Sequence, residues 1–405
     1  MHALRMVLGN ILASPRRAAF VVANMLCGVV LVVLIDGYAT SMFQGMRDGM
    51  IQSGLGHAQV FAEDLQTRGN LQSVSVLMPA DTAAQVQETL GADPRVLVAT
   101  PRVEASVMAS NGEFSQVGQM IGVEPDASAL LSSSLRVVAG RELFDDDARG
   151  ILLGKGLAEA LGFGPGDLVT VLGTTVAGTL NGLDLEVIGI VSTGVRESDA
   201  RLMYVTLPTA QEFLMTDGVT RIAVLLDETE ATDAFVADLA AALPAGVEAH
   251  GWRALAPTYG EVVDLFGTIF LGIKLAIGLF VVMAVANTIA ICVVERTREI
   301  GIARAVGDQR SEIAVRFALE GVVLGLVGAA LGLVVAVLAA KGLSASGLNM
   351  PTPPGSTVDY PLRFIVTGPS LALAGVLAVL VAFLASLLPA IKAANTSITG
   401  ALRHV

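Results

Sequence analysis

The sequence predicts a polytopic α-helical membrane protein with four transmembrane helices and a large α+β domain between helices 1 and 2. Three observations predict it. The 405 residues are 53% hydrophobic and only 15% charged, with a mean hydropathy of +0.69. Those values exclude an ordinary soluble protein and also a disordered one. Four apolar runs are each long enough to cross a bilayer. The net charge of −12 is unevenly divided: residues 41–264 hold 12 Lys+Arg against 30 Asp+Glu, and the remainder 13 against 7. An acidic domain and a basic membrane portion belong on opposite sides of a membrane.

The first span follows Arg16 and Arg17 and runs from Ala18 to Tyr38, completing an N-terminal segment of residues 1–40. It is too long for a cleaved signal peptide, and no small-residue cleavage site follows it. Cys27 lies inside it behind Met25 and Leu26, poor neighbours for a lipoprotein acceptor site. The second span, about 265–294, would be roughly 45 Å long against a hydrocarbon core of about 30 Å. Its first two turns are therefore expected to project as a stalk, with Lys274 snorkelling near the outer interface. Cys292 falls near its inner end. The third span is expected over 317–340 and the fourth over 371–391.

Short segments set the orientation. Arg5, Arg16 and Arg17 precede span one, five arginines join spans two and three, and Lys392 and Arg403 follow span four. The connection between spans three and four has only Lys341 and Arg363 around an MPTPPG turn. Both termini are therefore expected on the cytoplasmic side, with 41–264 and 341–370 outside.

Within span three, Gly321, Gly325, Gly328 and Gly332 share one helix face, a pattern that lets another helix approach closely. Packing inside the subunit and a dimer contact are equally good readings of it. Glu320 is an expensive carboxylate at that depth, and Arg316, one turn earlier, is its expected partner.

The 41–264 domain alternates strand and helix signals. A helix is expected over 81–90 and strands over 95–110 and 119–125. GILLGKGLAEAL (150–161) reads as strand into helix, and 167–173 and 185–193 as strands. Segments 222–228, 233–243 and 246–252 form a β-α-β unit, giving a small βαβ subdomain with a β-rich insertion.

Several chemistries find no support. Gly154-Lys155-Gly156 fails the phosphate-loop pattern, because Arg149 replaces its first glycine and Gly156 its Ser/Thr. His2, His57, His250 and His404 have no metal-ligand spacing, and no GxSxG elbow is present. The acidic run Asp145–Asp147 reads as a solvated loop. No basic tract argues for nucleic acid. No catalytic, cofactor or metal residues are assigned, and the chain is not read as an enzyme.

The most informative stretch is 295–316, between spans two and three. It carries Arg296, Arg298, Arg304, Arg310 and Arg316 with Glu295, Glu299, Asp308 and Glu312. Its apolar residues Ile300, Ile302, Ala303, Val306, Ile313 and Val315 suggest an amphipathic helix interrupted near Gly307. A hinged helix between two spans is a device for passing force between a cytoplasmic partner and the membrane.

The run NTIAICVVERTREIGIARAVGDQRSEIAVRFALEGVVLGLVGAALG (287–332) resembles the FtsX-like permease module of bacterial ABC transporters, taken here as 265–405. Residues 150–171 resemble the periplasmic core domain of MacB and of the lipoprotein-releasing LolC/LolE subunits. The opening LRMVLGNILASPRR and the later GHAQVF look most like the lipoprotein-releasing branch. This resemblance implies a mechanotransmission permease in a bacterial inner membrane. It implies a separate ABC ATPase holding ATP and Mg, a second permease copy or paralogue, and a lipoprotein carrier or adaptor outside. The ATPase-facing residues carried over from the motif are Glu295, Arg296, Arg298, Glu299, Arg304 and Gly307. Unlike MacB, the chain reaches span one within about 17 residues, so no ATPase domain is expected to be fused to it. Extraction or export of lipoproteins or other amphipathic substrates is the expected function. An FtsX-type regulator of a cell-wall hydrolase, and MacB-like efflux, are the alternatives.

Overall fold

The computed structural model describes residues 14–63, 65, 76–132, 135–350 and 360–395. Arg5, Arg403, the opening LRMVLGNIL and the MPTPPG turn after Met350 lie outside the described residues. The described chain forms two compact units, an outer unit of Gly45–Glu261 and a unit of four long helices.

Helix α1 (Pro15–Met50) leads into one π-turn, Ile51–Leu55, which ends where Gly54 and Gly56 take φ of 104° and 72°. The outer unit then runs β1 (Ala58–Ala62), α2 (Ala80–Gly91), β2 (Val96–Ser110), β3 (Ser115–Val123), α3 (Pro125–Leu131) and β4 (Arg136–Gly140). There follow β5 (Gly150–Gly154), α4 (Lys155–Leu161), β6 (Leu168–Thr174), β7 (Leu180–Ser192), β8 (Leu202–Thr206) and α5 (Leu207–Leu214). The unit closes with β9 (Arg221–Leu226), α6 (Thr232–Ala240) and β10 (Val247–Gly251).

Strand β2 is the spine of this unit. Its first half pairs antiparallel with β9 and its second half with β3. On one side β1 lies antiparallel between β9 and β10, so β9–α6–β10 is a β-α-β unit with a strand inserted. On the other, the pairings β2-β3-β8-β5-β7-β6 return to β2 and close a six-stranded barrel. The neighbours β3–β8 and β5–β7 are parallel and therefore need long crossovers, which carry α3 and α4. Alternation along β2 sends Val103, Ala105, Val107 and Ala109 into the barrel, where all are buried. Gly122 of β3 lets α5 lie close, since an added Cβ would collide with Ala210. The α+β class agrees with the sequence. The barrel closure, β4, β8 and α5 were not in it.

The helical unit comprises α7 (Pro257–Glu295), α8 (Thr297–Val306), α9 (Arg310–Ala345) and α10 (Gly368–Ala394), together with α1. Four of these, α1, α7, α9 and α10, are long and apolar enough to cross a membrane. Helix α7 has 39 residues, about 58 Å at the helical rise, and starts eight residues before the two-turn stalk expected for it.

Small residues set the helix packing. A Cβ on Gly321 would stand 2.5 Å from Ser386 Cβ of α10, and one on Gly325 would collide with Ala382. On Gly328 and Gly332 it would meet Met25 and Val29 of α1 at 2.6 and 2.9 Å. The glycine face of α9 is thus filled from within the subunit by α10 and α1. Helix α10 answers with its own small-residue stripe, Ala374, Ala378, Ala382 and Ala385, all buried. With no hydrophobic drive between helices in lipid, such close approach supplies the association energy.

Replacing Gly325 by Leu should therefore lower the stability of the detergent-solubilised protein by about 1–3 kcal/mol through overpacking. Leu at Gly342, which has open space around it, should change it by less than about 0.5 kcal/mol. Denaturant-titrated unfolding of both variants measures the difference, and equal effects would contradict this packing.

Candidate functional site

The segment between α7 and α9 is broken at two defined points. Helix α7 ends at Glu295, and Arg296 leaves the helical region with φ −96° and ψ 12°. Thr297 Oγ1 donates back to the carbonyls of Val293 and Val294 at 3.0 and 2.7 Å, satisfying the end of α7 rather than capping α8. Helix α8 ends at Gly307, whose φ of +120° strains any residue with a Cβ. Gln309 then starts α9 in a capping box, its N–H donating to Glu312 Oε2 at 2.9 Å. The interruption near Gly307 is where the sequence placed it; the break at Arg296 carried no Gly or Pro signal.

Each end of α8 is tied to a different membrane helix. Arg17 of α1 forms an ion pair with Glu295. Arg296, only 15% exposed, faces Glu320 of α9 at 3.8 Å and Glu299 at 3.9 Å. Arg304 Nη1 donates to the Ala394 carbonyl of α10 at 3.2 Å, and Arg310 reaches Asn395 at 3.4 Å. These contacts correct one expectation. Glu320 pairs with Arg296, not Arg316, because Arg316 is held by Asp308 at 2.9 Å across the Gly307 turn.

The apolar residues of the segment do not form one buried face. Ile300 and Ile313 are buried in the helical core, whereas Ile302, Val306 and Val315 are exposed, Val306 to 84%. Arg298 and Glu299 are exposed beside them. Of the expected coupling residues, Glu295, Arg296 and Arg304 thus hold the segment to the bundle, Arg298 and Glu299 face outward, and Gly307 forms the break between α8 and α9.

A second polar contact links α1 and α7. Lys274 Nζ donates to Asp36 Oδ1 at 3.0 Å, with both side chains about three-quarters covered. This corrects the snorkelling expected of Lys274. Asp36, a lone carboxylate inside span one, was the available sequence signal. The pair stands at one end of a cavity of about 350 Å³ between α1, α7 and α10, otherwise lined by residues such as Val33, Leu275, Leu373 and Leu377.

The outer unit's ionisable groups are largely committed to structure. His57 Nδ1 accepts from the Leu226 N–H at 3.0 Å, leaving Nε2 as donor to Thr229 Oγ1 at 2.9 Å. Burial lowers its pKa. In the Asp145–Asp147 run, Asp147 takes a two-pronged contact from Arg141 at 2.6 Å, which holds its carboxyl below the usual range. No cluster able to hold a metal occurs among the described residues.

Two family models match the chain and define it as a membrane permease. A MacB-like periplasmic core domain matches residues 19–242, and an FtsX-like permease C-terminal domain matches residues 271–398. The chain belongs to this family and is an ABC transporter permease of the FtsX/MacB/LolC type. It is 25% identical to the lipoprotein-releasing system transmembrane protein LolC of Xylella fastidiosa (strain 9a5c) over 97% of both chains. It is 25% identical to the uncharacterised ABC transporter permease YknZ of Bacillus subtilis over 82% of this chain and 84% of that one. The macrolide export ATP-binding/permease protein MacB of Agrobacterium fabrum is 26% identical, covering 88% of this chain but 56% of its own. Among solved structures, the periplasmic region of MacB from Actinobacillus actinomycetemcomitans is similar, with a TM-score of 0.36 and 16% identity. It covers 51% of this chain and 94% of that one. Membrane helices with a periplasmic core domain fit a multi-pass protein of a bacterial inner membrane.

Breaking the Asp36–Lys274 pair from one side should cost more than removing both charges, because the remaining ion is stranded. A double-mutant cycle with Asp36→Leu and Lys274→Met should give a coupling of about 0.5–3 kcal/mol by unfolding in detergent. Strict additivity would show that the two charges do not interact.

Proposed function

We propose that this chain is the non-catalytic transmembrane subunit of a transporter that works by mechanotransmission. An ABC ATPase on a separate chain hydrolyses ATP and bears on the exposed side of α8. The anchored ends of α8 pass its displacement into α1, α9 and α10, and the unbroken α7 carries it to the Pro257 end. In this reading both termini and α8 are cytoplasmic, residues 45–261 are periplasmic, and two permease subunits act together.

The observation that carries the reading is the construction of 295–316. A short helix broken at Arg296 and Gly307, tied to three spans, leaves Arg298, Ile302 and Val306 exposed. Ile302 and Val306 are four residues apart and so lie on one side of the helix, where a docked partner would cover them. The substrate we infer is amphipathic, and lipoproteins are the first candidate. The match to LolC along nearly the whole chain supports this, and so does the apolar cavity beside Asp36–Lys274, which has room for hydrocarbon. A periplasmic carrier would then receive the cargo.

With its ATPase reconstituted alongside it, Arg298→Glu or Gly307→Val should leave the protein folded and inserted. Substrate release per ATP hydrolysed should fall at least tenfold, the first by reversing charge at the docking face and the second by straining the hinge. Release and phosphate production measured in the same proteoliposomes provide the check. Unchanged coupling in both variants would refute the lever.

A further inference from the structure

Ion pairs join α1 to α7 at two levels. Arg17 meets Glu295, and Lys274 meets Asp36 at 3.0 Å. Asp36 lies 19 positions beyond Arg17, and Glu295 lies 21 beyond Lys274. Along the helices the two pairs therefore stand about 28–32 Å apart, the thickness of a hydrocarbon core of about 30 Å. They mark the two faces of the membrane, and Asp36–Lys274 sits at headgroup level in the leaflet away from α8.

The cavity beside Asp36–Lys274 runs the depth of that leaflet. Its volume is about 350 Å³, and it is lined from Asp36 to Met25 on α1 and from Ser370 to Val381 on α10. Both stretches cover about 16 Å of helix, which leaves a mean cross-section of about 20 Å², whereas a helix with its side chains is ~10–12 Å across. The space suits one extended hydrocarbon chain and not another helix. Val29 and Val33 at its floor are buried, while Leu275 of α7 and Leu377 of α10 beside it are exposed, so a chain can enter sideways from the bilayer. Gly278 of α7 also lines it. A Cβ there would meet nothing within 4 Å, whereas one on Gly28 of α1 would stand 2.5 Å from Val281. Small residues in a span ordinarily admit a neighbouring helix; Gly278 instead opens onto the cavity.

The charges at the mouth set the headgroup. Lys274 Nζ donates to Asp36 Oδ1, but an ammonium has three donors and a carboxylate two oxygens, so a ligand can be received without breaking the pair. The pair is neutral as a whole. A net anionic headgroup would lie against Asp36 and a net cationic one against Lys274, each a like-charge contact. We propose that this cavity holds one acyl chain of a zwitterionic phospholipid, its phosphate on Lys274 and its ammonium on Asp36. This inference rests on the four spans and not on the cargo proposed above, whose chain would have to displace the lipid to enter.

Full-length protein in nanodiscs tests this, using phosphatidylethanolamine with a photoactivatable diazirine near the end of one chain and mapping the adducts by mass. Leu331, exposed on α9 beside the Gly332–Val29 contact, reports bulk lipid at the same depth. Labelling of Met25, Val29 and Val381 should exceed that of Leu331 at least threefold. The same group on phosphatidylglycerol should label the cavity at least threefold less and Leu331 equally. Gly278→Leu, which grows into open space, should abolish labelling of the cavity and spare Leu331. Asp36→Leu and Lys274→Met together, which strand no charge, should make the two lipids label the cavity equally. Cavity labelling no higher than at Leu331, as when a second copy covers the groove, would overturn the assignment. Equal labelling by both lipids in the unaltered protein, or full labelling in Gly278→Leu, would overturn it too, and each leaves the lever untouched.

Discussion

The helical unit depends on where the charges around α8 are tied. Near its start, Arg296 leaves the end of α7 and faces Glu320 of α9, while Glu295 holds Arg17 of α1. Near its end, Arg304 donates to the Ala394 carbonyl at the end of α10. An arginine and a carboxylate both mostly covered are each far costlier alone than together. The pairing therefore fixes which helices the segment can move with. Were Glu320 paired locally with Arg316, α8 would swing free of α9. Because Arg316 instead closes the Gly307 turn through Asp308, the hinge itself is also fastened.

The spans above this level are joined differently. Gly321 and Gly325 admit α10, Gly328 and Gly332 admit α1, and Gly28 of α1 admits Val281 of α7. Close packing of this kind transmits displacement because it has little slack. Asp36–Lys274 adds one directional contact between α1 and α7 toward the other end. Polar fastening at 295–316 and small-residue packing through the core join the four spans into one bundle.

Much of this was legible in the sequence, for identifiable reasons. The four spans, the glycine face and the Gly307 break are strong local signals: hydropathy, spacing and a residue that alone tolerates φ of +120°. Ion-pair partners were not legible, because Arg296 and Glu320 are 24 positions apart and Arg316 is nearer in sequence. The break at Arg296 has no breaker residue to mark it. In the outer unit, alternation revealed β2, whereas β8 (LMYVT) is buried on both faces and shows no period to count. Closure of the barrel depends on β6 reaching back to β2, a non-local pairing with no local signature.

The contrast between Val306 at 84% exposure and buried Ile300 on the same short helix allows the central claim to be tested directly. A photo-crosslinking residue placed at Val306, or at Ile300 for comparison, can be activated in native membranes and the adducts identified by mass. If α8 is the lever, the Val306 label captures an ABC ATPase and the Ile300 label captures only this chain. An ATPase adduct from Ile300 alone, or none from either position while the protein is correctly inserted, would contradict it.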